Sequence, residues 1–168
     1  MTPPPLLLDG AAIDRVKTFK LLGVHVSDDL KWTNHIDAIC AKAASRLHFL
    51  TLLAWSGPSL EDLVCFKTSV VRQILKYACP VWHSSLTVVQ VDALESIQKR
   101  AMRLIYQAHY KTACISVGID GLNSRREHST LSFFNRNVLN TESGLHYLLP
   151  DKCGPDILNR LRKTKKYQ

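Results

Sequence analysis

Acidic residues are in short supply in this 168-residue chain: 14 Asp and Glu stand against 22 Lys and Arg, leaving a formal net charge of +8. A basic excess is what phosphate binding uses, and it is also what exposed tails carry with no ligand at all. Cysteine is sparse and unpaired. The five (Cys40, Cys65, Cys79, Cys114, Cys153) are separated by 14 to 39 residues with no Cys-x-x-Cys. That pattern offers no disulfide framework and reads as buried free thiols in a reducing compartment. No apolar run approaches the ~18 residues a membrane helix needs. The first residues, Met1 to Gly10, have neither a charged start nor a long apolar core, so no signal peptide is expected. Nucleus or cytoplasm is the expected location, with no secretion and no membrane. Internal repeats and low-complexity segments are also missing.

What is present suits one domain. At 46% apolar and 21% charged, the chain has the composition of a globular protein, and its length allows roughly two-thirds of the unfolded surface to be buried. Residues 3–29 read as short strands and turns. Leu6 to Leu8 end at Asp9-Gly10, a hairpin dipeptide. Phe19 to Val26 form a strand around Gly23, closed by a turn at Ser27-Asp28-Asp29. From Thr33 the period becomes helical: Ile36, Ile39, Cys40, Ala43, Leu47, Leu50 and Ala54 share a face that ends at Ser56-Gly57-Pro58. Ser59 with Asp62 makes a capping box for a second helix. Its polar side is narrow (Glu61, Asp62, Ser69, Arg72, Lys76), so it is expected to be the most buried helix, with Lys67 the exception on its apolar side. One shared core is expected through Leu47, Leu50, Val70, Val71, Ile74, Leu94 and Ile97.

Pro80 should break the second helix. Thr87 and Gln90 then cap a third, with Val91, Leu94, Ile97, Ala101, Leu104 and Ile105 inside and Lys99, Arg100 and Arg103 outside. Glu95 is placed to pair with Lys99. A loop at Gly118 and Gly121 leads to a fourth helix near 124–139, a short element at 145–149, and a last basic helix from about Asp156. The positive excess concentrates here: residues 111–168 hold ten Lys/Arg against five Asp/Glu, five of the ten between Arg160 and Lys166.

Three stretches in order carry a resemblance. They are Val16-Lys17-Thr18-Phe19-Lys20-Leu21-Leu22-Gly23-Val24 running on to Leu30-Lys31-Trp32-Thr33-Asn34-His35-Ile36, then Leu75-Lys76-Tyr77-Ala78-Cys79-Pro80-Val81-Trp82-His83, then Glu95 to Tyr106. Together, over about residues 5–165, they resemble the region just downstream of the catalytic palm in reverse transcriptases of non-LTR (LINE-type) retrotransposons. The resemblance implies residual palm-end strands (1–30), a thumb-like three-helix core (31–110) and a C-terminal helical extension with a basic tail (111–168). It also implies a thumb that grips the primer–template backbone. Residues 14–55 resemble, in addition, the short N-terminal module attributed to an AlkB-type tRNA-modifying enzyme. That module lies outside the dioxygenase domain and carries no activity with it.

The polymerase's chemistry is not expected to come with the resemblance. Two-metal catalysis needs a carboxylate pair on a palm hairpin and a third carboxylate far upstream. Asp28-Asp29 is the only adjacent pair of aspartates, follows Val26-Ser27 where the family has an aromatic residue, and reads as a turn. His35 and Asp37 match a His-x-Asp iron motif, but on a helix they diverge by about 200° and cannot share a metal. His35 is expected to pack near Trp32, with Asp37 favouring the helix start. Cys79 and His83 have the spacing of half a zinc site without a second half. Tyr77 and Trp82 read as packing around Pro80. No catalytic residue, metal or cofactor is therefore assigned.

The candidate nucleic-acid contacts are Lys99, Arg100 and Arg103 on the third helix, Arg125 and Arg126 opening the fourth, and the tail cations Arg160, Arg162, Lys163, Lys165 and Lys166. The expected architecture is mainly α, a bundle of about five to six helices with a small β hairpin at the N-terminus. The expected role is a non-catalytic C-terminal fragment or derivative of an RNA-directed DNA polymerase that contacts nucleic-acid backbone. A helical protein-interaction module and an AlkB-type tRNA-modification accessory segment are the alternatives. Truncated reading frame, fragment and domesticated derivative all stay open.

Overall fold

The computed structural model describes residues 6–106 and 121–150. The chain opens with two separate antiparallel hairpins. β1 (Leu6–Leu8) pairs with β2 (Ala11–Ile13), and β3 (Thr18–Leu21) pairs with β4 (Val24–Ser27). Both connections are two residues long with positive φ at each: Asp9 at 51° and Gly10 at 82°, Leu22 at 47° and Gly23 at 85°. Paired positive φ values are what a tight hairpin turn needs to match the strand twist. Gly23 therefore sits in a turn, and the single strand expected over 19–26 is a hairpin. A Cβ on Gly23 would also stand 3.3 Å from Cε1 of Tyr77.

The rest of the described residues are mainly helical, as expected: α1 (Thr33–Trp55), α2 (Leu60–Phe66), a π turn (Lys67–Val71), α3 (Arg72–Lys76), α4 (Cys79–Trp82), α5 (Val88–Tyr106) and α6 (Leu122–Phe133). A second π turn (Phe134–Val138) continues α6, and a 3₁₀ turn (His146–Leu148) falls where a short element was expected. Both caps anticipated from the sequence form. The Ser59 hydroxyl accepts from the Asp62 N–H while the Asp62 carboxylate accepts from the Ser59 N–H. Thr87 and Gln90 make the same reciprocal pair ahead of α5, at 3.3 and 3.0 Å.

The core lies where α1 and α5 pack along each other and α2, α3, α4 and α6 close around them. Ala43, Leu47 and Leu50 of α1 meet Leu94, Ile97 and Ala101 of α5, with Leu75, Trp82 and Leu122 completing the cluster. Gln98 and Met102 are also fully buried on α5. Trp82 donates its indole N–H to the Tyr77 carbonyl at 3.0 Å, so its polar atom is satisfied inside.

Three expectations need correction. The rod formed by α2, the π turn and α3 is not the most buried helix: only Leu63, Lys67, Val71 and Leu75 along it are buried. Those positions recur every four residues, and a step of four overshoots a 3.6-residue helix by about 40°. Three such steps would swing the row about 120°, and the extra residue in the π turn takes back about 100° of that. Ile74 is accordingly only half-buried and Leu75 is the core residue. Second, the break precedes Pro80. Ala78 turns the chain at φ 51°, and Pro80 sits in the first turn of α4, where its missing N–H costs nothing. Third, not every cysteine is buried: Cys79 is, Cys40 half so, and Cys65 is exposed. The basic helix expected from about Asp156, with Cys114 and Cys153, lies outside the described residues.

Candidate nucleic-acid interface

α5 is amphipathic, and its inward residues leave Lys99, Arg100 and Arg103 exposed on the far side. Along a 3.6-residue helix Arg103 falls between the other two, about 40° from Lys99 and about 60° from Arg100. The three thus occupy one arc. Arg103 lies in the last turn, where a cation complements the helix dipole. Arg100 and Arg103 also wall a groove of about 420 Å³ against α1, opposite His48 and Thr51. Its floor is Ala44, Leu47 and Leu104. The fold therefore adds an imidazole and a hydroxyl to the cations the sequence pointed to.

Arg125 and Arg126 behave differently from each other. Arg126 is fully buried, with 0% exposure, and leaves the set of phosphate-binding candidates because its guanidinium cannot reach a backbone outside. Burial lowers its pKa, and the Glu95 carboxylate opposes that shift. Its Nη2 donates to Asn123 Oδ1 at 3.5 Å. Glu95 itself accepts from the Asn123 N–H at 2.8 Å, so a carboxylate from α5 sits at the unfilled N-terminus of α6. Glu95 thus ties α5 to α6 through the Asn123 N–H. Arg125 is half-buried and faces Arg72, whose pKa is lowered by burial first and by Arg125 second. Arg160, Arg162, Lys163, Lys165 and Lys166 lie outside the described residues.

The remaining candidates are structural. Asp29 accepts from the Ser27 hydroxyl at 2.6 Å and the Lys31 N–H at 3.0 Å, and pairs with Lys31 Nζ at 3.3 Å. Those bonds, the Ser27 one foremost, hold its pKa down to about 2. His35 is buried between Trp32 and Trp82, with ring centroids 6.2 and 5.6 Å away. Its Nδ1 accepts from the His25 N–H at 3.4 Å, which places the ring proton on Nε2. Burial, then His25, pushes its pKa below the ordinary value, so the ring is neutral. Asp37 is exposed and lies past the first turn of α1. The Cys79 Sγ is 3.9 Å from the Arg126 carbonyl, and burial raises its pKa. Among the described residues no group of three or more His, Cys, Asp or Glu is arranged to hold a metal ion.

One cationic surface escaped sequence reasoning. Lys42 and Arg46 of α1 converge with Lys20 of β3 on a groove of about 690 Å³ between the second hairpin, α1 and the π turn. Lys42 and Arg46 are a legible i, i+4 pair. That Lys20 would join them depends on where the hairpin docks, which no local pattern encodes.

A mainly α domain with cationic grooves along its long helices is thus the class that fold and surface define. In the comparison with curated proteins the chain is 26% identical over 110 residues to a probable RNA-directed DNA polymerase from transposon X-element of Drosophila melanogaster. The match takes in 62% of this chain and 12% of that protein. It supports a reverse-transcriptase-like relationship and gives the AlkB-type likeness no support. No family model matches the chain, and no solved structure matches it significantly. Among the described residues no helix is long and apolar enough to cross a membrane.

Proposed function

We propose that this chain is a non-catalytic, post-palm part of a non-LTR retrotransposon reverse transcriptase that holds the phosphate backbone of a primer–template duplex. The observation carrying this reading is the exposed arc of Lys99, Arg100 and Arg103 beside the α1–α5 groove. Helical cations on a solvent face reach backbone oxygens before base edges, so they position a duplex without reading it. The likeness to a transposon polymerase supports the same conclusion. On this reading residues 1–30 are palm-end strands, 31–110 the thumb-like core and 111–168 an extension whose basic tail binds further phosphates, acting in nucleus or cytoplasm. Asp29, tied into its turn, is not assigned to metal binding.

The test is a titration of primer–template duplexes of unrelated sequence at several salt concentrations. The variants are Lys99→Ala/Arg100→Ala/Arg103→Ala and, separately, a deletion of the tail from Arg160. The triple variant should weaken binding by a similar factor for every sequence and flatten the salt slope by about 0.7 to 0.9 for each phosphate no longer neutralised. An unchanged slope would instead favour a protein-interaction module, a reading supported by the exposed leucines of β1. In the same reactions the isolated chain, given magnesium or manganese and an RNA template, should extend no primer.

A further inference from the structure

We infer that the groove between the second hairpin, α1 and the π turn binds an unpaired nucleic-acid strand, with a base on its apolar floor and phosphates at Lys20, Lys42 and Arg46. This goes beyond the duplex-backbone reading, uses a different face and can fail separately from it.

Charge complementarity identifies the occupant. Lys20, His25, Lys42 and Arg46 come from β3, β4 and α1, and among the described residues no carboxylate lines the groove. Arg46 is steadied by the Phe49 ring, whose centroid is 5.5 Å from its guanidinium carbon. Cations brought together from separate elements without a countercharge favour an anion that spans them.

The floor decides what kind of anion. Val70 and Ile74 form an apolar surface beside Gln73, whose side chain offers both a donor and an acceptor. The Tyr77 ring stands at one end, held by its hydroxyl donating to the Leu22 carbonyl at 2.8 Å. Gly23 lets that ring close against the turn. An apolar floor with one amide and one aromatic ring at its end suits a base, and stacking of bases on aromatic rings is sequence-tolerant. The volume falls within the range of about 300–1,000 Å³ usual for ligand clefts. A stacked duplex hides its base faces and could use only the cations, so the apolar part selects an unpaired strand. The π turn supplies Ser69 and Val70 to this wall, and such turns recur at functional sites.

Fluorescence anisotropy of the full chain would test this with three probes at several salt concentrations. These are a homopolymer strand of about 12 nucleotides, an abasic strand of equal length, and a duplex. Lys42→Ala/Arg46→Ala should weaken strand binding and flatten its salt slope by about 0.7 for each phosphate no longer neutralised. Tyr77→Ala, at an exposed position, removes the groove's aromatic ring without removing charge. It should weaken strand binding about tenfold with the salt slope and duplex affinity unchanged. On the unaltered chain the abasic strand should bind about tenfold more weakly than the base-bearing one. Equal binding of those two strands overturns the proposal, even if Tyr77→Ala fails to fold. So does strand affinity unchanged by Tyr77→Ala, or a loss in Lys42→Ala/Arg46→Ala that is the same for strand and duplex. The Lys99, Arg100 and Arg103 triple variant reads the other face, so the two readings are tested independently.

Discussion

Leu22 holds a backbone conformation that a leucine tolerates poorly. Its φ of 47° puts Cβ against the following carbonyl, and its side chain is 83% exposed, so no packing offsets the strain. Left-handed geometry costs roughly 1–2 kcal/mol for most residues and less for asparagine. Leu22→Asn keeps the carbonyl that Tyr77 uses, and should raise stability by about 1 kcal/mol in urea melts. His35 makes a different prediction. Burial holds its imidazole neutral, so the folded chain takes up that proton less readily than the unfolded chain. Its stabilising contribution is complete above the ordinary value of 6.5 and declines as the pH falls below it. His83 is shifted the same way, by burial first. Removing His35 should therefore flatten part of the decline: His35→Phe should show a smaller loss of stability than the parent between about pH 7 and 5. A parallel decline in both would mean that His35 does not carry it.

At the scale of elements, the row Leu63, Lys67, Val71, Leu75 depends on the π turn. Deleting Ser69 would make the rod a plain α-helix with eleven steps from Leu63 to the old Leu75, within about 20° of whole turns. The fold should survive, with a cooperative melt and helical circular dichroism, while the groove beside Val70 changes shape. Deleting Ser96 from α5, which has no such turn, should swing one half of its buried face by about 100° and abolish cooperative unfolding. Within α3, Leu75→Ala should cost about 2–5 kcal/mol and Ile74→Ala clearly less. The sequence made the helices legible because their signals are local: Ser59 with Asp62, Thr87 with Gln90, and the stripe from Ile36 to Leu50. The π turn was not legible. Its cause is a four-residue row containing a lysine, which reads as an apolar face with one exception until the partners show that Lys67 points inward.

Over the whole molecule, sequence and structure agree on the α5 arc because amphipathicity alone sets which way Lys99, Arg100 and Arg103 face. They part at Arg126, whose burial comes from α6 docking on α4 and α5, with Glu95 opposite. They part again at Lys20, which joins the Lys42–Arg46 pair of α1 only because the second hairpin docks against that helix. Charge that lies on one helix can be read in advance; charge assembled by docking cannot. The first hairpin has a consequence of its own. Leu6, Leu7 and Leu8 are 59 to 64% exposed, and β1 and β2 form a two-stranded ribbon, leaving each with an outer edge. A short greasy ribbon with free edges invites strands from other molecules. Handled at high concentration, the chain should therefore self-associate through its N-terminus, more readily in high salt, where its net positive charge no longer keeps copies apart.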